Sequence, residues 1–114
     1  MKIPGKRILF LTLKKEFYDQ IKSGEKTSEF REYKKYWIQK LVNADGSFKT
    51  YDFILFQNGY HSTAPQMLVE FKGIKINKNK IGFLKWEKEF EIELGEIVKE
   101  SNIVLSNRKC SSKK

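Results

Sequence analysis

Four short apolar runs, RILFLTL at 7–13, YDFILF at 51–56, MLVEF at 67–71 and FEIEL at 90–94, are separated by polar stretches, the first and last of them dense in lysine and glutamate. Runs of this length flanked by turn residues read as strands, so a sheet is the economical way to bury them. The chain has 114 residues, of which 39% are hydrophobic, enough for the core of one domain and hard to divide between two. We expect the domain to span residues 1–106, followed by a basic flexible tail at 107–114 that reads NRKCSSKK.

The first run places Leu9, Leu11 and Leu13 on one side and Ile8 and Phe10 on the other, which suits a strand covered on both faces. In KKEFYDQIKSG, Phe17 and Ile21 lie one helical turn apart, and Gly24 can take the left-handed conformation that ends a helix near Ser23. EKTSEFRE reads as extended. A second helix is expected in KKYWIQKLV, where Tyr33, Trp37 and Leu41 recur at helical spacing.

Asp45-Gly46 marks a turn before YDFILFQ, and NGYHSTAP is a polar loop closed by Pro65. In QMLVEFKGIKI the apolar parity slips at Gly73, from Met67, Val69 and Phe71 to Ile74 and Ile76, as at a bulge or bend. NKNKIGFLKWEKE reads as a lysine-rich loop anchored by Trp86. FEIEL alternates Phe90, Ile92 and Leu94 inward with Glu91 and Glu93 outward. The expected fold class is α+β, a small, partly open β-barrel of about five or six strands with two short helices.

The formal charge is +9, and the tail supplies four of those charges through Arg108, Lys109, Lys113 and Lys114, leaving +5 over residues 1 to 107. A basic excess attracts phosphate-bearing partners, although a mildly basic domain is common without them. With Cys110 the single cysteine and His61 the single histidine, no intramolecular disulfide is expected, nor a metal or other cofactor. No stretch approaches the apolar length of a membrane span, and the first residues are interrupted by charge too soon for a signal peptide, so a cytoplasmic setting is expected.

The segment that carries chemistry is GEKTSEFRE at 24–32. On a strand, Thr27, Glu29 and Arg31 share one face and Phe30 turns to the other, toward a core; Lys26 faces away from Glu29 unless the chain after Gly24 is still turning. Brought together, Lys26 and Arg31 are cationic donors, and Glu29 keeps them from repelling each other and can accept from the exocyclic amine of a base. The alternative is an ion pair across a solvated strand, contributing under ~1 kcal/mol.

The stretch IKSGEKTSEFRE resembles the signature of the ASCH family, Gly-x-Lys-x-x-Glu-x-Arg, met here by Gly24, Lys26, Glu29 and Arg31. RILFLTL, YDFILFQNGY, MLVEFKGIKI and FEIELGEIV follow in the family's order, over about residues 7 to 100. The resemblance implies a PUA-like barrel whose signature lines a cleft for RNA or a nucleotide. In that light Tyr36 and Trp37 are stacking surfaces, with Lys34 and Lys35 near the ligand backbone, while Trp37 equally fits the core-facing stripe. In the loop after the YDFILFQ strand, Gln57 and Asn58 can read base edges and Tyr60 can stack; Asn58-Gly59 is also an ordinary turn pair.

Some ASCH proteins are similar in fold and hydrolyse the amide of N4-acetylcytidine with a lysine, a threonine and a glutamate. There the threonine lies three residues after the lysine, where this chain has Glu29; Thr27 follows Lys26 directly. Lys26, Thr27, Glu29 and Glu70 are the candidates if the chain is an amidohydrolase of this kind, or a ribonuclease, though one histidine leaves no imidazole pair. A third reading is an interaction module whose lysine-rich 72–88 segment and basic tail meet an anionic polymer without specificity. Binding of RNA or a nucleotide is the favoured expectation; the oligomeric state is open.

Overall fold

The computed structural model describes residues 4–83 and 85–101. The expected tail at 107–114, with Cys110, lies outside these residues, as does the side chain of Trp86. In chain order the elements are β1 (Ile8–Leu13), α1 (Lys15–Lys22), β2 (Ser28–Glu32), α2 (Lys35–Leu41), β3 (Phe53–Asn58), β4 (Gln66–Gly82) and β5 (Lys85–Ser101). They form an α+β fold with one five-stranded mixed sheet in the order β1-β3-β4-β5-β2. β1 runs parallel to β3, and the other three pairings are antiparallel. The sheet is not closed. Its two edges are β1 and β2, joined in sequence by α1.

One face of the sheet holds the core. Leu9, Leu11 and Leu13 of β1, Ile54 and Phe56 of β3, Met67 and Val69 of β4, and Phe90 and Ile92 of β5 are buried together. Tyr18 and Ile21 of α1 and Leu41 of α2 close over them. Side chains such as Phe56 and Phe90, wholly enclosed, each stabilise the fold by about 3–5 kcal/mol relative to alanine. Among the described residues no helix is long and apolar enough to cross a membrane.

The local punctuation follows the sequence. α1 ends at Lys22 with Ser23 as its C-cap and Gly24 at φ 84°, and Gly46 takes φ 90° in the turn where Asp45 Oδ1 accepts from the Ser47 N–H. The β4–β5 register shifts between Phe71 and Gly73, which is the bulge signalled by the parity change.

Four expectations are corrected. β1 is not covered on both faces: as an edge strand with helices on one side only, it leaves Phe10 45% exposed. Phe17 is exposed on α1, whose inward residues are Tyr18 and Ile21. Phe30 does not enter the core. It stands opposite Glu91 and is 43% exposed, because the inner face of β2 is the one opposite Ile92 and Phe90, held by Glu29 and Arg31.

The lysine-rich segment at 77–89 is not a loop either. Asn77 pairs with Glu89, Lys78 with Lys88 and Lys80 with Trp86, so β4 and β5 are each 17 residues long and form a hairpin that turns at Phe83. Backbone pairing is indifferent to a lysine whose side chain stays in water, which is why composition was a poor guide here. Beyond Asn77 and Glu89 the hairpin pairs only with itself.

Candidate functional site

Gly24 lets the chain leave α1 and turn, and the Lys26 N–H is held by the Gln20 carbonyl at 3.0 Å, so β2 begins only at Ser28. That turn swings Lys26 inward. Its Nζ lies 2.7 Å from Glu29 Oε1, and Arg31 Nη2 lies 2.6 Å from Glu29 Oε2. Glu29 is the buried charged residue of the core face, 4% exposed, with a cation on each oxygen. The pair is therefore not a solvated one. A carboxylate holds an inward position because two charge-assisted bonds replace its water.

Arg31 does more than pair. Nη2 also donates to the Thr12 carbonyl at 3.3 Å, bridging the open seam between β2 and β1. The guanidinium lies under the Trp37 ring at 4.8 Å, and its enclosed Nε has no hydrogen-bond partner. A buried donor left over in a clamped guanidinium is unusual. The Lys26 ammonium meets the Phe17 ring at 4.8 Å.

At this seam a cleft of about 620 Å³ opens, lined by Thr12, Leu13, Lys14, Lys15, Phe17, Glu29, Phe30, Arg31, Asn58, Gly59 and Tyr60. The positive groups outnumber the negative, and the start of α1 at Lys15 adds its partial positive charge. Lys15 is paired with Asp19, whereas Lys14 is exposed and has no ion-pair partner among the described residues. Phe17, Phe30 and Tyr60 supply aromatic walls, with Tyr60 89% exposed on the loop turned by Gly59 at φ 90°.

The sequence-predicted residues divide. Glu29, Arg31, Asn58 and Tyr60 line the cleft. Lys26 braces Glu29 from behind and, with Gly24 and Thr27, lines a separate groove of about 330 Å³ against Leu94–Ile97. Trp37 covers Arg31 and packs against the core, with exposed Tyr36 edge-on to it at 4.9 Å. The side chain of Gln57 is engaged internally: Nε2 donates to the Gly59 carbonyl and Oε1 accepts from Gln66. Glu70 is away from the cleft, where its carboxylate accepts from the Glu96 N–H and Cβ lies against Gly95.

Lys14, Lys15 and Phe17 were missed by sequence reasoning. The available signal was the Lys-Lys pair placed between the first strand and the first helix. Among the described residues no group of three or more His, Cys, Asp or Glu side chains could hold a metal ion. No protein-family model, no curated protein and no solved structure matches the chain.

Proposed function

We propose that this chain binds RNA, or a nucleotide unit of it, in the cleft between β1 and β2, as an ASCH-like, PUA-like protein of the cytoplasm. The observation that carries the reading is Arg31, held by buried Glu29 at the rim of an open, aromatic-walled cleft. A guanidinium fixed in this way is preorganised for phosphate or base acceptors, Lys14 and Lys15 add long-range attraction, and Tyr60 offers a stacking face. In this reading β1 and β2 are the edges that a PUA-like barrel brings together, and the Arg31 bond to Thr12 is one tie across that seam.

Hydrolysis is the weaker reading. Thr27 lines the groove against Leu94–Ile97 while Glu29 lines the cleft, so Lys26, Thr27 and Glu29 do not surround one substrate cavity. Fluorescence titration with a labelled oligoribonucleotide tests the binding reading. Saturable binding should weaken by tenfold or more in Lys14→Gln and Tyr60→Ala, both substitutions of exposed side chains. Binding unchanged in both variants removes the cleft as the site. Incubation with N4-acetylcytidine should release no cytidine.

A further inference from the structure

The β4–β5 hairpin divides its charges by face. On the face that carries the core, the rows run Ile74–Ile92, Ile76–Phe90 and Lys78–Lys88, with Lys80 next on β4, so apolar rows give way to lysine where the hairpin leaves the body. On the other face, Glu87, Glu89, Glu91 and Glu93 alternate opposite Asn79, Asn77, Lys75 and Gly73. There the carboxylates outnumber the cations: Lys75 reaches Glu91 and Glu93, and Asn77 donates to Glu89 and Glu91. Lys78, Lys80 and Lys88 have no carboxylate partner among the described residues. Lys78 and Lys88 stand directly opposite each other, an arrangement that costs stability.

This lysine face joins the cleft. Arg31 is paired with Phe90, and Lys88 is the next side chain of β5 on the same face, about 7 Å farther along. Tyr33 fills the step, its ring 5.1 Å from Phe90 and the Lys88 ammonium 5.1 Å over it. The order across the face is thus Trp37, Arg31, Tyr33, Lys88, Lys78, Lys80, two aromatic rings interleaved with a guanidinium and followed by three lysines.

We infer that the hairpin is a second contact surface for a single-stranded RNA chain whose terminal or flipped nucleotide occupies the cleft, the lysine face holding the phosphates that follow. The inference rests on the cleft reading and narrows it: the partner is a polymer, since a free nucleotide cannot span both surfaces. Charge complementarity selects the occupant. A strand with regularly spaced phosphates and stackable bases fits unpaired lysines beside Tyr33, and the acidic opposite face repels it.

The test compares a labelled uridylate 12-mer with uridine monophosphate, using the whole chain and the triple variant Lys78→Gln, Lys80→Gln, Lys88→Gln. All three side chains are exposed, and circular dichroism confirms that the variant is folded. Expected is a wild-type preference for the 12-mer of tenfold or more. The variant should lose that preference, and its log–log salt slope should fall by about 2, from three phosphate contacts at roughly 0.7 each. Its mononucleotide affinity should be unchanged. A variant that keeps both the 12-mer affinity and the salt slope overturns the hairpin surface and leaves the cleft reading intact. If the 12-mer affinity falls in the variant while the wild type shows no mononucleotide binding, the cleft reading fails and the hairpin surface stands.

Discussion

Glu29 shows how an acidic residue comes to occupy a core position. Both of its oxygens are bonded, and the two cations keep only 20% and 19% of their side-chain surface in water. Removing the carboxylate charge would leave Lys26 and Arg31 repelling each other with only partial access to water. Glu29→Gln should therefore destabilise the fold by about 3 kcal/mol, near the low end for a broken buried pair because the cations are partly solvated. Urea titration measures it as a lower midpoint at an unchanged slope, and a loss below ~1 kcal/mol would mark the cluster as an ordinary surface pair.

Glu91 is the second carboxylate with a structural task. Its oxygens accept from Asn77 on β4 and from Ser28 on β2, and these hydrogen bonds, with Lys75 nearby, hold its carboxyl below the ordinary 4.5 against the opposing effect of burial. The folded chain then binds this proton less readily than the unfolded one. The stabilisation is present above the ordinary value and drains away as pH falls from there through the lowered folded value. Comparing wild type with Glu91→Gln in urea between about pH 7 and about pH 3, the variant should be less stable at neutral pH and should lose less on acidification.

The elements differed in how openly the sequence announced them. The strands of the core were legible because they carry apolar runs, and the ends of α1 and of the turn at Asp45 were legible because Gly24 and Gly46 are needed there. The outer half of the hairpin was hidden, since its pairing depends on backbone partners and its side chains are written for water. The facing of β2 was inverted for a related reason: hydrophobic alternation sends Phe30 inward, but two local cations neutralise Glu29 and let it take that side.

Part of the site was legible in the same way. Glu29 and Arg31 are neighbours in sequence, whereas Thr12 and Lys14 join them only after β1 and β2 become the two edges of one sheet. The hairpin's own chemistry can be weighed directly. Lys78→Glu turns a like-charge pair into an opposite one and should raise the thermal midpoint, in line with about 0.2–1 kcal/mol, while weakening oligonucleotide binding. A fall in both would show the lysines to be structural.

At the scale of the molecule, one core holds the sheet and both helices, and the hairpin reaches beyond it. Native-state hydrogen exchange should resolve the two. The amides of Ile54, Phe56, Val69 and Ile92 should exchange only when the whole chain unfolds, and those at 78–80 and 87–88 should exchange through local opening at much lower free energy. Equal protection in both sets would mean that the arm is fastened to the body.

The bond from Arg31 to the Thr12 carbonyl gives the seam an unusual property. A ligand acceptor that wins Nη2 must displace the protein's own carbonyl, and the two strand margins are then free to part. If the cleft binds as proposed, occupancy and aperture become one equilibrium, and the guest would loosen the door by which it came in.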